Sequence, residues 1–327
     1  MTTAPHTKSE LLKRTRRFSD GVSSHRETKM AYGWPEKIEQ AKAYPVDLNQ
    51  FATDIQFDEG IWYSQTRSAI SYPEDGNGYC LQLEDTSFWF KHRNRCILEV
   101  LRRFPPGPPF FDIGGGNGFV SAAVQGIGCS VVLLEPGVQG ARNARLRGIE
   151  NVICSTLDDA GLLPERMPSA GAFDVVEHIQ DDVSFLRSIA SRLVPGGRFY
   201  LTVPALPILW SQIDELAGHY RRYTTTALSS LLTEVGLHIE YVTYFFSMLP
   251  LPIFLLRSIP HRIGIRRSDA EFGKRSYGEH HPPNRFAIFL QKLQNRELAM
   301  IRSGRTMIIG TSCLAVAKKS QRNPFRS

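Results

Sequence analysis

Two segments of this 327-residue chain contain residues whose types and spacing suit binding or proton chemistry. The first covers residues 110–119, where an apolar run leads to Asp112 and then to Gly114, Gly116 and Gly118. Glycines permit a sharp turn and a close approach of the backbone to a ligand, and the residues after them predict a helix. The order of strand, acid, glycine turn and helix predicts a loop that binds a nucleoside-containing ligand.

The second segment covers residues 173–178, where Asp174 lies three residues before the pair formed by Glu177 and His178. Because these residues follow a predicted strand, we expect their oxygen and nitrogen donors at one strand end, with His219 as a later histidine that joins them. His178 is a candidate general base because histidine changes protonation near neutral pH. The alternative is that Glu177 and His178 only hydrogen-bond neighbouring loops.

Glu135 is a further acidic residue that indicates which class of ligand the glycine loop binds. Glu135 ends an apolar run nineteen residues after Gly116, where nucleotide-binding folds place the acid that accepts the two ribose hydroxyls. A dinucleotide fingerprint requires another glycine at position 119, but that residue is Phe119. The spacing therefore supports a nucleoside ligand and argues against a nicotinamide dinucleotide.

The pattern Asp-x-Gly-x-Gly-x-Gly at residues 112–118 resembles the first motif of class I S-adenosylmethionine-dependent methyltransferases. The resemblance implies that Asp112 helps to bind the methionine part of S-adenosylmethionine, and that the glycines line its ribose and amino-acid portion. A cationic ligand without phosphate suits a carboxylate, which would repel pyrophosphate.

The resemblance extends along the chain in the order expected of that family. Residues 173–178 resemble its fourth-strand motif, with Asp174 beside the cofactor, and residues 193–198 resemble its turn into the fifth strand. The family's adenine contacts fall on Thr156 and Leu157, after the third predicted strand. The chain is therefore expected to bind S-adenosylmethionine as cofactor.

The donors at the fourth strand are similar to a motif of the ubiquinone-pathway O-methyltransferases and the small-RNA 2′-O-methyltransferases. There, an acid-x-x-Glu-His motif binds a divalent metal, joined in the second group by a later histidine. The resemblance implies that Asp174, Glu177, His178 and His219 bind Mg²⁺, which would lower the pKa of an acceptor hydroxyl. This chain departs from the motif because Asp174 replaces a longer Glu.

The elements that must position these residues alternate between strand and helix, which predicts an α/β fold. We expect a Rossmann-like seven-stranded, mainly parallel sheet with helices on both faces, an N-terminal cap and an insertion before the last strand. The expected strands are 110–113, 130–134, 151–154, 173–176, 198–203, 238–246 and 307–316. The expected helices are 93–104, 119–126, 138–148, 181–193 and 225–235.

Composition predicts four regions around this fold. Residues 1–50 form a basic, partly disordered tail and residues 51–109 an aromatic-rich cap, while residues 110–246 and 306–319 form the methyltransferase core. Residues 247–305 form a lid or insertion that includes an amphipathic helix. Two pairs of aromatic residues are candidates for the acceptor pocket or, alternatively, for core packing: Trp89, Phe90, Tyr220 and Tyr223.

The net charge of +7 is concentrated at the two ends of the chain. The central region is net acidic, which argues against a nucleic-acid partner because phosphates would be repelled. The apolar run at 245–256 and the arginines after it suit either peripheral contact with an anionic membrane or a lid packed on the core. Five scattered cysteines and no secretory signal predict a cytoplasmic protein.

These observations predict an S-adenosylmethionine-dependent methyltransferase that acts on a small-molecule or lipid-like acceptor, with O-methylation preferred. One alternative is a catalytically inactive cofactor-binding protein that serves a partner. A nucleic-acid methyltransferase is a second alternative, although residues 175–178 lack the aromatic-proline motif expected of one. His178, Glu177 and His219 are the candidate catalytic residues.

Overall fold

Nine strands form one sheet in a computed structural model that describes residues 46–66, 68, 76–266 and 284–321. The sheet order is β1-β2-β5-β4-β3-β6-β7-β9-β8, and five of its eight strand pairs are parallel. The strands are β1 (Ile55–Asp58), β2 (Ile61–Ser64), β3 (Phe110–Ile113), β4 (Val131–Leu134), β5 (Asn151–Cys154), β6 (Met167–Phe173), β7 (Leu193–Pro204), β8 (Leu237–Phe245) and β9 (Ser312–Lys319).

Helices cover the sheet and leave the carboxyl ends of the central strands accessible to loops. Every residue of β3 and of β4 is buried, as expected for parallel strands that are covered on both faces. The helices are α1 (Gly76–Glu84), α2 (Phe88–Arg103), α3 (Phe119–Gly126), α4 (Val138–Leu146), α5 (Asp182–Arg192), α6 (Gln212–Leu216), α7 (Thr225–Glu234), α8 (Pro250–Ile253), α9 (Ile259–Arg262) and α10 (Asn284–Arg302).

The expected α/β sheet is confirmed, but it has nine strands in the described residues rather than seven. The two additional strands, β1 and β2, form a hairpin that extends the sheet beyond β5. Glu59 and Gly60 connect them with φ angles of 44° and 86°, the conformation that two-residue hairpin turns require. The hairpin lies within the region 51–109 that the sequence predicts to be an aromatic-rich cap.

Three strands differ from their expected positions. One is β7, which starts at Leu193 rather than at residue 198 and so includes the residues expected to form the turn before it. The strand expected at 173–176 is β6, which ends at Phe173, and the chain then turns through a short 3₁₀ helix at Val176–His178. The strand expected at 307–316 is β9, which starts only at Ser312. The small residues 168–172 gave β6 no apolar pattern by which its start could be recognised.

The insertion after β8 is helical. It contains α8, a five-residue π-helical turn (Phe254–Ser258), α9 and, after residues outside the described part, α10. The expected amphipathic helix is α10, yet its buried face includes Leu290 and Leu298, while Phe289 is exposed; the side chain of Phe286 lies outside the described residues. Among the helices that the structure describes, none is both long and apolar enough to span a membrane.

Helix α10 packs on α2 through buried and charged contacts. The Glu297 carboxylate accepts hydrogen bonds from the backbone nitrogens of Phe246 and Ser247 at 3.0 and 2.6 Å, and it lies 2.8 Å from Nε2 of His92. Burial opposes ionisation of Glu297, but the hydrogen bond and charge of His92 and the hydrogen bonds from Ser247 together lower the pKa of Glu297. This cluster joins the end of β8, α2 and α10.

Candidate active site

The glycine loop connects β3 to α3 at the carboxyl edge of the sheet. Gly114, Gly116 and Gly118 have φ angles of 68°, 54° and 77°, a region that favours glycine. A Cβ atom at Gly114 would lie only 2.7 Å from Cγ2 of Val175. The loop therefore contacts the turn that follows β6, so the two segments singled out in the sequence are adjacent in space.

Asp112 ends β3 and is almost completely buried. Its Oδ2 accepts a hydrogen bond of 2.6 Å from the Ser121 hydroxyl on α3. Burial raises the pKa of Asp112 to about 6, against the opposing effects of Ser121 and the Arg93 charge. A carboxylate in this environment gains from a cationic partner, which suits the ammonium group of an amino-acid ligand.

Glu135 follows β4 and turns back toward the glycine loop. Its carboxylate accepts hydrogen bonds from the backbone nitrogens of Gly116 and Gly137 at 2.9 and 2.8 Å, and a longer one from Asn77 at 3.4 Å. Burial raises the pKa of Glu135, and these hydrogen bonds oppose the rise. Because each carboxylate oxygen has two lone pairs, Glu135 retains acceptor capacity for ribose hydroxyls.

Thr156 and Leu157 begin the loop after β5. The Thr156 hydroxyl accepts a hydrogen bond of 3.1 Å from the Asp159 backbone nitrogen, so it caps the following turn, and Leu157 is buried. The Thr156 hydroxyl can still donate its proton, so the adenine contact expected of Thr156 and Leu157 stays a prediction.

Asp174 makes different contacts from those expected of a metal ligand. Its carboxylate accepts hydrogen bonds from the guanidinium of Arg93 and, at 3.0 Å, from the Thr202 hydroxyl. Arg93 lies against the rings of Trp89 and Phe90, with its guanidinium carbon 5.2 and 5.5 Å from their centroids. The positive charge of Arg93 thus occupies the place at Asp174 where a metal cation would bind.

The other three predicted donors come together. One ligand atom from each of Glu177, His178 and His219 lies within 4.8 Å of the others, and the two imidazole rings pack edge to face with centroids 4.8 Å apart. Burial, and next His219, lower the pKa of His178 to about 4. Burial, and next the charge of Asp174, raise the pKa of Glu177 well above its ordinary value.

A buried carboxylate orients His219. Nδ1 of His219 lies 3.0 Å from Oδ1 of Asp214, which also accepts a hydrogen bond of 2.8 Å from Arg222. Burial opposes ionisation of Asp214, but the hydrogen bonds from His219 and Arg222 lower its pKa. Because an ionised carboxylate only accepts, the neutral His219 carries its proton on Nδ1 and presents a lone pair at Nε2.

The candidate aromatic walls divide into two groups. Trp89 is partly exposed and stacks on Phe246 with centroids 5.4 Å apart, while Tyr220 is exposed. Tyr223 is buried, and its hydroxyl donates to Asp182 at 2.7 Å. Tyr223 therefore packs in the core, and Trp89 and Tyr220 remain candidates for contact with an acceptor.

Sequence reasoning missed two residues that complete the site. Arg93 lies 81 positions before Asp174, so no local spacing indicates their ion pair. Asp214 lies on α6, five positions before His219. This short spacing between a carboxylate and a histidine is the sequence signal that could have indicated their hydrogen bond. Both residues control the charge or orientation of a predicted donor.

Comparisons with known proteins agree with this geometry. A family model described as a methyltransferase domain matches residues 88–242. The chain is 25% identical over 158 residues to a ubiquinone biosynthesis O-methyltransferase of Xanthomonas axonopodis pv. citri, a match that covers 42% of this chain and 66% of that relative. It is 26% identical over 175 residues to the mitochondrial ubiquinone biosynthesis O-methyltransferase of Homo sapiens, covering 45% and 47%. The chain thus spans about half to two thirds of these relatives.

A solved structure shares the fold. A chain from the complex between the Haloferax volcanii Trm112 methyltransferase activator and a methyltransferase aligns with a TM-score of 0.50 and 16% identity, covering 76% of this chain and 97% of that chain. The family match, the sheet and the arrangement of the glycine loop agree with one another. Residues 88–242 thus match a methyltransferase domain, and the findings together support a methyltransferase of the class I S-adenosylmethionine-dependent type.

Proposed function

We propose that this protein transfers the methyl group of S-adenosylmethionine to a hydroxyl group of a small-molecule or lipid-like acceptor. The observation that carries the proposal is the position of the Glu177, His178 and His219 cluster. The turn containing Glu177 and His178 contacts the glycine loop through Val175 and Gly114. A proton-accepting cluster therefore lies next to the predicted cofactor loop, as O-methylation requires.

The residues around the glycine loop fit the cofactor. Asp112 provides a buried carboxylate for the ammonium group, and Glu135 provides acceptors for the ribose hydroxyls. The positive φ angles of the loop glycines permit close contact between backbone and ligand. The cofactor supplies an electrophilic methyl group on a sulfonium, so the protein's tasks are to align the acceptor and to receive its proton.

His219 is the proposed proton acceptor. Asp214 orients its ring so that Nε2 has a free lone pair, and His178 packs against it as a neutral imidazole at neutral pH. As the acceptor oxygen forms its bond to the methyl carbon, the sulfur–carbon bond breaks and sulfur keeps the electron pair. The acceptor proton passes to Nε2 of His219, and Asp214 stabilises the resulting imidazolium.

The cluster also fits a divalent cation. Among the described residues, none hydrogen-bonds Oε2 of buried Glu177, and a buried oxygen of this kind gains from a cation. The ligand atoms of the three residues all lie within 4.8 Å of one another, close to the spacing of about 4.2 Å or less that metal–ligand bonds of about 2.1 Å require. When bound by Glu177, His178 and Nε2 of His219, the ion would take the place of the proton on His219, and it would lower the pKa of the acceptor hydroxyl instead.

The donor set favours a different ion from the expected Mg²⁺. Mg²⁺ prefers oxygen ligands, whereas imidazole nitrogens suit Zn²⁺ and other first-row transition metals. With Asp174 paired to Arg93, two of the three remaining donors are nitrogens. We therefore propose a transition metal ion rather than Mg²⁺ at this site.

Incubation of the full chain with S-adenosylmethionine labelled in its methyl group tests the proposed function. The acceptors would be a panel of phenols, catechols, amines and RNA, together with a lipid extract, and mass spectrometry would identify the methylated atom. We expect the label in a methyl ether of the acceptor, together with unlabelled S-adenosylhomocysteine that forms only when the acceptor is present. Binding of the cofactor without turnover on any acceptor would favour the inactive-partner alternative, and label only on nitrogen or RNA would contradict O-methylation.

A further inference from the structure

The helical segment between β8 and the undescribed residues presents apolar side chains to solvent. Leu251, Leu255 and Leu256 are 67%, 51% and 52% exposed. Their spacing places them along one side of the continuous helical run formed by α8, the π-helical turn and α9. Apolar helix faces normally pack against the protein, so this outward apolar face requires a partner.

The exposed face continues past the helix. Ile263 and Ile265 are also more than half exposed, so five large aliphatic side chains project from fifteen consecutive residues, 251–265. Elsewhere, Leu146 is 87% exposed on α4 as a single residue, and single exposed leucines are common. Several exposed aliphatic side chains on one short segment, in contrast, indicate an interaction surface.

The same segment has only positive charges. Residues 247–266 contain Arg257, Arg262 and Arg266 and no acidic residue, and Arg267 follows in the sequence. Arg266 lies 3.4 Å from Glu215 of α6, and the guanidinium of Arg262 donates to the backbone oxygen of Ile208 at 2.9 Å. Arg262 and Arg266 therefore connect this segment to Ile208 and to α6.

These contacts place the segment next to the proposed active site. Glu215, which also lies 3.5 Å from His261, is the immediate neighbour of Asp214, the carboxylate that orients His219. The apolar face is thus anchored to the same short helix, α6, that positions the proposed proton acceptor.

We propose that residues 250–266 form a docking surface for an anionic phospholipid bilayer. Leu251, Leu255 and Leu256 enter the boundary between headgroups and acyl chains, and the arginines contact lipid phosphates. Exposed aliphatic residues on a helical segment together with arginines and no acids are the combination that interfacial segments use. An acidic protein partner could pair with the arginines, but it would bury less of the exposed leucine face than a bilayer would.

Vesicle co-sedimentation with the full chain tests the proposal and requires no methyl transfer, so its outcome is independent of the proposed function. The probes are vesicles of phosphatidylcholine alone and vesicles that also contain phosphatidylglycerol. We expect binding to the anionic vesicles that weakens as salt shortens the Debye length from about 30 Å to about 3 Å. Neutral vesicles should bind far less protein.

Two sets of variants separate the apolar and charged contributions. The triple change Leu251→Gln, Leu255→Gln and Leu256→Gln should weaken binding at least tenfold, whereas Leu146→Gln should not. Arg257→Gln should weaken binding about fivefold, with Arg142→Gln on exposed α4 as its matched control. Circular dichroism melts would establish that each variant folds.

Three results would overturn the proposal. The first is an absence of wild-type binding to anionic vesicles at low salt. The second is equal weakening by Leu146→Gln and the triple variant, which would show that the face has no special role. The third is a concentration-dependent dimer that only the triple variant dissociates, because the occupant would then be a second copy of this chain.

Discussion

The cofactor loop and the histidine cluster lie side by side but differ in how their charges are compensated. At the loop, Glu135 accepts hydrogen bonds from two backbone nitrogens, and Asp112 accepts one from Ser121. At the cluster, Oε2 of Glu177 has no hydrogen-bond partner among the described residues. An unsatisfied buried polar group costs about 1–3 kcal/mol. The carboxylates of the loop thus have hydrogen-bond donors before a ligand arrives, whereas Oε2 of Glu177 would gain its partner from a proton or a cation.

The largest expected effect separates catalysis from cofactor binding. Changing His219 to Ala should lower methyl transfer by a factor of about 10²–10⁴, the usual contribution of a positioned base, because the acceptor proton then has no receiver. Affinity for S-adenosylhomocysteine, measured by titration calorimetry, should stay nearly unchanged.

His238→Ala, at an exposed position on β8, is the matched control and should retain activity. If His219→Ala lost cofactor affinity and activity together, the division between the two regions would be wrong.

Metal binding tests the unpaired oxygen of Glu177 directly. Zn²⁺ or Ni²⁺ at about a hundredfold excess over Kd should stabilise the fold by about 2.7 kcal/mol, and Mg²⁺ should do so less because two donors are nitrogens. Glu177→Gln should abolish the rise in Tm. A Tm rise of equal size in Glu177→Gln would place the ion elsewhere.

Burial of Asp112 should make the free energy of unfolding depend on pH. Its pKa rises from 3.8 to about 6 on folding, so the folded state retains the proton while the unfolded chain ionises. Stability should therefore fall as pH increases from about 4 to about 6, and Asp112→Asn should remove a cost on the order of 2 kcal/mol above pH 6. Urea unfolding at pH 4 and pH 7 measures the effect.

The same change should weaken cofactor binding by about 1–3 kcal/mol, because the ammonium group loses its charged partner. Glu234→Gln, at an exposed position, should change neither quantity. A variant that is less stable than the wild type at pH 7 would contradict the assigned effect of burial.

The smallest effect concerns Thr156. Because its hydroxyl accepts from the Asp159 backbone nitrogen, Thr156→Ala should lower the free energy of unfolding by about 1 kcal/mol, as for other lost caps. Cofactor affinity should change less than about twofold. A large loss of affinity with unchanged stability would show instead that the hydroxyl contacts adenine.

The difference between the two regions also explains what the sequence could predict. Strand β3 and helix α3 have the expected bounds because an apolar run, glycines and a second apolar run follow one another without interruption. The partners of Asp174 and His219 come from other elements, α2 and α6. Local spacing indicates which donors exist, but only tertiary packing decides which of them keep a free lone pair.

Weak local patterns account for the remaining differences. Residues 168–172 are Pro, Ser, Ala, Gly and Ala, which have little intrinsic preference for strands, yet all but the first are buried in β6. Their burial depends on the neighbouring strands β3 and β7. The β1–β2 hairpin was not predicted because its aromatic residues also suit a packed cap, and the Glu59-Gly60 turn is the local feature that indicates a hairpin.

The contacts of the Glu297 carboxylate bear on how the insertion after β8 can vary. It binds the backbone of Phe246 and Ser247 at the start of the insertion, although it belongs to α10 at the end of the insertion. The chain therefore leaves the core and returns to it at one fixed point. Each doubling of the intervening length should cost only about 0.6 kcal/mol of closure entropy, so this segment should tolerate changes in length without altering the sheet.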